Sequence, residues 1–461
     1  MKKANNSDRQ ARQTAAQMHA LAAVRRDIGS RDSASARKYL REFAQAFRSY
    51  DAVLAPQALA ACIAAADILL VGDYHALPAS QRFAASSLEH LAQTRPVVLG
   101  LEAVLSRDQR IVDAWWRREI PEDELRQRLR FDREWGYEWP PFYELLTAGR
   151  EYGEGIYGLD CMPRDDLRRI SSRDRHAASK IGEVRERHPG AVILVLFGES
   201  HLAPQHLPRA LQAMRPNERI LTVLQNVDAI YWKAIQENAP AVSIDEDTVC
   251  VFNSSPLEKY ESYRLCIEKW NTAADDLPDF TPAVHNLIIS LARCLGFRLD
   301  SPQNGTQPKF LADSLPEVVY LKTDCNTPEN GSTQSEENGC AYIPETNTFF
   351  VREFEMINAA REAARFLHHA CRGSETGGAH AKPVEEALAH LGSRLLLPTI
   401  GVENESPTGG LGEALYHAYL AGQVTKPVLR RMFLMRLGDR QQAEKVLAGM
   451  INACQSTDLC T

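Results

Sequence analysis

Val71-Gly72-Asp73-Tyr74-His75 and Phe197-Gly198-Glu199-Ser200-His201 share one pattern: glycine, an acid, any residue, then histidine. Imidazole and carboxylate are the side chains that hold transition metals and that move protons near neutral pH. Each string follows an apolar run, 67–71 in the first case and 191–197 in the second, of the kind that forms a buried strand. Open α/β sheets place their ligands outside the carboxyl ends of the strands. Two such exits on one edge bring two imidazoles and two carboxylates into the same crevice. The glycines, Gly72 and Gly198, are expected to let the chain turn sharply out of the strand. A G-x-x-H string alone arises by chance about once in a chain this long. Gly377-Gly378-Ala379-His380 is a third instance; with no strand and no acid before its histidine, it reads as that chance occurrence.

The elements that must position these residues alternate. The pattern predicts strands over 67–71, 97–102, 155–159, 191–197, 219–224 and 249–252, with helices over 80–93, 107–131, 141–152, 164–187 and 204–214. That alternation predicts an α/β fold, a mainly parallel sheet flanked by helices and joined by right-handed crossovers. Each predicted strand ends in a polar residue: Asp73 and His75, Glu102, Asp160, Glu199 and His201, Gln225 and Asn226, Asn253. In a parallel sheet those ends share an edge. The plainer reading is that Glu102 and Asp160 cap the following helices and that His75 and His201 are semi-buried, satisfied histidines.

The chain has 461 residues, more than one ordinary core, and a soluble composition with 44% hydrophobic and 25% charged residues. The net charge of −7 gives no basic surplus for nucleic acid. No window reaches the roughly 18 apolar residues of a membrane span. The polar start, Met1-Lys2-Lys3-Ala4-Asn5-Asn6, has neither the apolar core of a signal peptide nor a lipobox cysteine, so a cytoplasmic location is expected. None of the ten cysteines forms a C-x-x-C pair, which argues against zinc ribbons and thioredoxin-type redox sites. Cys325 with Cys340, and Cys454 with Cys460, are spaced for disulfides in an oxidising compartment; free thiols fit a reducing one better.

Three regions are expected. Residues 1–50 form a helical arm, with Tyr39, Leu40, Phe43 and Phe47 on one face, that packs on the next domain. Residues 51–272 form the α/β domain. Residues 273–461 form a mostly helical domain with helices over 281–297, 353–371 and 383–455, an extended run over 340–351 and polar inserts at 323–339 and 373–382. His368-His369 in this last region reads as a pair on a helix surface, because no H-x-x-x-H spacing is present.

With the strand-end set assembled, the region from about 50 to 230 resembles the haem-binding uptake family called ChaN, in the superfamily that includes Tiki proteins and erythromycin esterases. The residues that carry the resemblance are 67–75, Leu99-Gly100-Leu101-Glu102, Trp135-Gly136-Tyr137-Glu138-Trp139-Pro140-Pro141-Phe142-Tyr143-Glu144-Leu145-Leu146, Gly158-Leu159-Asp160-Cys161-Met162-Pro163-Arg164 and 196–201. The resemblance implies a sheet-based fold with paired G-x-x-H motifs and a glutamate at the site. It also implies haem and iron uptake for the ChaN branch, metal-dependent proteolysis for Tiki proteins and lactone hydrolysis for the esterases. Asp73 departs from the glutamate common in the first motif, and the export signal and lipid anchor of a surface haem-uptake protein are not seen.

Three functions follow. The first is a haem- or metal-binding protein: Tyr74 and His75 as haem ligands, or His75, His201, Asp73 and Asp160 as ligands of Fe, Zn or Mn, with Gly72, Gly198, Gln225, Asn226 and Asn253 lining the cleft. Trp115, Trp116, Trp135, Tyr137, Trp139, Phe142 and Tyr143 would wall a flat macrocycle, or simply pack helices and anchor loops. The second is a metal-dependent esterase or peptidase, with Glu102 or Glu199 as general base and a metal-bound water as nucleophile. The third is a non-enzymatic scaffold in which these groups only hold the sheet edge.

Overall fold

The apolar runs form one eight-stranded sheet. In chain order its strands are β1 (Ala52–Leu54), β2 (Ile68–Asp73), β3 (Val97–Leu105), β4 (Ile156–Asp160), β5 (Val192–Gly198), β6 (Ile220–Gln225), β7 (Ala241–Ser243) and β8 (Thr248–Val251). Their spatial order is β1-β7-β8-β6-β2-β5-β3-β4. From β8 to β4 every pairing is parallel; at the other edge β7 pairs antiparallel with both β8 and β1, so β7 alone runs against the other strands of this sheet. The central strands β2, β5 and β6 are buried along their whole length, as strands covered on both faces must be. The computed structural model describes residues 6–29, 42–164, 170–271, 279–297, 315–321, 339–372, 382–398, 407–434, 445, 448 and 449.

The sheet lies in a unit spanning Ile28–Cys266. On one face Leu69, Val71, Leu99, Leu194 and Val223 pack with Ala84 and Leu88 of helix Pro78–Ala92, Trp115 of helix Gln109–Trp116, and Leu145 and Leu146 of helix Trp139–Tyr152. On the other, helix Ile170–Arg187 runs against β4 and β5. Its buried residues are Ile170, Arg173, Asp174, Ala177, Ala178, Ile181, Gly182, Val184 and Arg185. Arg173 and Asp174 thus form a buried charged pair at the end of the helix nearest the strand ends.

The second unit comprises the described residues of Met1–Asp27 and Ile267–Thr461. Helix Asn6–Gly29 is tied to the helices of the C-terminal region: Arg12 Nη1 donates to the Tyr419 carbonyl at 3.1 Å, and Asn286 Nδ2 to the Ala20 carbonyl at 3.0 Å. The extended run becomes β10 (Cys340–Ile343) and β11 (Thr348–Val351), which pair with each other and with β9 (Glu317–Tyr320). His368 is buried at 3% exposure against Phe433, with ring centroids 6.2 Å apart, so the surface-pair expectation fails for it. Apart from Gly339 and Lys382, the two polar inserts lie outside the described residues, as do Tyr39, Leu40, Gly377-Gly378-Ala379-His380, Cys325, Cys454 and Cys460. Cys340 carries a free thiol. No described helix is long and apolar enough to cross a membrane.

The helix expected over 107–131 is broken into a 3-10 turn, Ser106–Asp108, and two short helices, Gln109–Trp116 and Glu122–Arg128. Arg118 adopts φ 62° just after the first, and Pro121 then precedes the second, having no N–H to extend the earlier one. Close packing at β4 leaves a sharper test. A Cβ on Gly158 would sit 2.7 Å from the Leu105 carbonyl oxygen and 2.8 Å from Val104 Cγ1, whereas one on Gly190 meets nothing within 4 Å. Gly158→Ala is expected to lower the unfolding free energy by about 1–3 kcal/mol, and Gly190→Ala to change it by less than about 0.5 kcal/mol, in parallel denaturant melts.

Candidate functional site

The parallel register sets Gly72 opposite Phe197 and Asp73 opposite Gly198, so both G-x-x-H strings leave the sheet side by side. β3 lies next to β5 and supplies Glu102, whose carboxylate reaches between the two histidines. His75 Nε2 is 3.9 Å from Glu102 Oε2, and His201 Nε2 is 3.6 Å from Glu102 Oε1. Both separations are too long for direct hydrogen bonds.

The outer nitrogen of each ring is held by a buried acid. His75 Nδ1 is 2.8 Å from Asp73 Oδ2, and His201 Nδ1 is 2.6 Å from Asp174 Oδ1. A carboxylate only accepts, so Nδ1 carries the proton in both rings and Nε2 is left facing Glu102. Gln81 Nε2 donates to the second oxygen of Asp73 at 2.5 Å. The Gly198 N–H donates to Glu102 Oε2, also at 2.5 Å, and Arg173 Nη2 to Glu102 Oε1 at 2.6 Å.

Arg173 also clasps Asp160, through Nε at 2.9 Å and Nη2 at 2.7 Å. Arg164 adds a third bond to Asp160 at 2.8 Å and donates to the Glu102 carbonyl at 2.6 Å and the Glu134 carbonyl at 3.1 Å. Asp160 is therefore saturated by two guanidiniums, and Asp73 by Gln81 and His75. Among the described residues, no three His, Cys, Asp or Glu side chains stand at the spacing of an assembled metal-ligand set. The donors that remain turned inward are the two Nε2 atoms and the carboxylate between them.

The glycines work differently from the expectation. Neither Gly72 nor Gly198 has a positive φ, so no sharp turn depends on them. Gly198 is needed because the His75 ring lies on it: a Cβ there would meet Glu102 Oε2 at 3.0 Å and His75 Nε2 at 3.2 Å. Gly72 has only ordinary contacts.

Glu199 and Tyr74 face a separate neighbourhood. Lys259, on helix Pro256–Asn271, bonds both Glu199 oxygens at 2.9 Å, and its Nζ lies 4.7 Å over the Tyr74 ring. The Glu199 carboxylate holds the buried Lys259 ammonium charged, raising its pKa against the effect of burial. Tyr74 is packed edge-on between Tyr260 and Tyr263, and burial pushes its phenol well above the usual range. Gln225, Asn226 and Asn253 form an amide ladder that props the end of β2. Gln225 Nε2 donates to the Gly72 carbonyl at 2.7 Å, Asn253 Nδ2 to Gln225 Oε1 at 2.7 Å, and Asn226 Nδ2 to Asn253 Oδ1 at 2.6 Å. Sequence reasoning missed Arg173 and Asp174, and also Arg164 and Lys259, because it searched strand ends while these lie on or next to helices.

Burial alone would raise Glu102. The charges of His201, His75 and Arg173 and the Gly198 N–H outweigh it and lower the carboxyl to about 2. Burial would lower His75, but Asp73 and Glu102 raise it above the ordinary imidazole value. Asp73 is raised, by burial.

Residues 59–192 match the family model described as haem-binding uptake, Tiki superfamily, ChaN, which bears out the resemblance drawn from the sequence; His201 lies just beyond the match. Two solved structures are similar. One, titled for cofacial heme binding to ChaN of Campylobacter jejuni, is 17% identical, with 38% of this chain and 86% of that chain covered and a TM-score of 0.30. The other, the type III effector HopBA1, is 11% identical, with 44% and 96% covered and a TM-score of 0.34. No curated protein matches the chain.

The Glu102 geometry has a measurable consequence. Its folded pKa of about 2 lies below the unfolded carboxylate value, so its contribution is fully present above about 4.3 and fades as pH falls through about 2. Glu102→Gln is expected to cost about 3 kcal/mol at pH 7, the scale for removing one member of a buried ionic cluster. The gap between wild type and variant should shrink at low pH. Urea melts at pH 7 and pH 3 check both points.

Proposed function

We propose that this unit binds a divalent transition metal through His75 Nε2, His201 Nε2 and the Glu102 carboxylate. One observation carries the reading: two imidazoles, each held through Nδ1 by a buried carboxylate, turn their free nitrogens toward a third carboxylate. Metal-ligating histidines are characteristically held this way, which fixes tautomer and ring angle. Two imidazole nitrogens with one carboxylate are donors suited to Fe, Zn or Mn. The charge also suits a dication. Asp73, Glu102, Asp160 and Asp174 stand against Arg164 and Arg173, leaving two negative charges when both imidazoles are neutral. When bound, such an ion supplies Lewis acidity and an acidified water. Asp73 and Asp160, expected as ligands, take the roles of orienting His75 and anchoring the arginines.

Haem is the second reading. The matching family model supports it, and so does the 22% exposed side chain of His75, flanked by Trp135 at 4.4 Å and Tyr137 at 5.2 Å. His201, at 3%, offers a large planar ligand no comparable access. The packing of Tyr74 against Tyr260, Tyr263 and Lys259 favours His75 over Tyr74 as the iron ligand.

Metal content after dialysis against Zn, Mn or Fe(II), measured beside a haem titration followed by absorbance, separates the two. The metal reading expects near-stoichiometric ion in wild type, most of it lost in His75→Ala and in His201→Ala, and about 10–100-fold weaker binding in Asp174→Asn. Equal and weak binding by all four proteins would contradict it. A haem band that depends on His75 but not on His201 would favour haem.

A further inference from the structure

Two arginines of the second unit lack the acids that buried guanidiniums need. Arg361 and Arg365 lie one turn apart on helix Met356–Arg372, and both are partly buried. Side chains four residues apart on a helix are neighbours, so the two charges repel. The Nε of each is shut away from solvent and has no hydrogen-bond partner. Arg365 pairs through Nη1 with Glu362 Oε1 at 3.2 Å. The other Glu362 oxygen accepts the Tyr342 N–H at 3.0 Å. Among the described residues, Arg361 has neither a hydrogen bond nor an ion pair. Burial, and after it the charge of Arg365, lowers its pKa. Arg394 in the same unit shows the usual outcome: its Nε and Nη2 donate to the Glu413 carboxylate at 2.8 Å and 3.0 Å.

We propose that Arg361 and Arg365 form a binding site for a phosphate group. A guanidinium only donates, so the missing partner is an acceptor. Two guanidiniums against the Glu362 carboxylate leave positive charge uncompensated, so that acceptor is an anion. Its shape follows from the spacing. Guanidiniums take carboxylate or phosphate oxygens in paired bonds. A planar carboxylate has one edge of two oxygens and serves one fork. A tetrahedral phosphate has several such edges and bridges two forks that rise a turn apart from one helix face. The Arg365 side chain is 33% exposed, which leaves a small phosphate access from solvent. The ligand class is therefore inorganic phosphate or a small phosphomonoester. The pair shares no residue with the histidine cluster and does not depend on what that cluster binds.

The test uses the full chain in phosphate-free buffer. Inorganic phosphate and glycerol phosphate are titrated separately by calorimetry, with acetate at matched ionic strength as control. The expected result is saturable binding of at least one phosphate, with acetate about 10-fold weaker or more. Tighter binding of glycerol phosphate identifies an organic phosphate as the ligand, and tighter binding of inorganic phosphate the free ion. Arg361→Gln and Arg365→Gln are each expected to weaken binding by about 10-fold or more, the scale of a lost charge-assisted hydrogen bond. Arg361→Lys keeps the charge without the fork, is expected to weaken binding less, and gives a reading should the glutamine variant misfold. Without phosphate, Arg361→Gln is expected to melt no lower than wild type, because it removes an unpaired charge beside a like one. No phosphate binding by wild type, acetate binding as tight as phosphate, or binding unchanged in all three variants overturns the proposal. So does a lower phosphate-free melt of Arg361→Gln with its phosphate binding retained, the mark of a structural arginine.

Discussion

The buried Glu102 carboxylate is the constraint on which the site depends. It receives the Gly198 N–H and an Arg173 guanidinium, and it stands between the Nε2 atoms of His75 and His201. Its position needs three adjacent parallel strands: β3 supplies the acid, β5 the amide and His201, and β2 His75. Antiparallel pairing would send these ends to opposite edges. The helix after β4 then brings Arg173 and Asp174 to the same edge, one to neutralise Glu102 and the other to orient His201. Fold and site are thus one arrangement, because the burial that makes the sheet core makes each unpaired charge at its edge expensive.

Around this centre the polar groups divide the work. Asp160 anchors Arg173 and Arg164, and Arg164 in turn ties the end of β3 to the Glu134 carbonyl and the Trp135 ring. Lys259 and Glu199 neutralise one another beside Tyr74. The acid of the first G-x-x-H string orients its own histidine, whereas the acid of the second is paired with a lysine. The two strings read alike in sequence but are not chemically equivalent.

Much of the fold was legible because its central strands are unbroken apolar runs. The runs at 67–71 and 191–197 became β2 and β5 with ends within two residues of those expected. β1 and β7 escaped notice, being three-residue strands too short to show a period. The helix over 107–131 read as continuous although Pro121 marks a break in it; what its spacing does not reveal is the reversed φ of Arg118. At the site, the strand-end list contained His75, Glu102 and His201, which converge, but it read Asp73 and Asp160 as ligands and Glu102 or Glu199 as a general base, without the partners that hold each acid. Arg173 and Asp174 carry a signal of their own, a charged pair in register with Ala177, Ala178 and Ile181 on a buried helix face. Weighing that break in the apolar stripe would have pointed to an ionic partner at the strand ends.

The most direct test of this arrangement is the tautomeric state of the two histidines, read from 15N NMR of imidazole-labelled, metal-free protein. The His75→Ala and His201→Ala variants assign the signals, and the pH is set above the raised pKa of His75. The account predicts that both rings carry their proton on Nδ1, facing Asp73 and Asp174, with an unprotonated Nε2 turned toward Glu102. Protonation at Nε2 in either ring would mean that the nitrogen assigned to the ligand is already a donor, and would contradict the account.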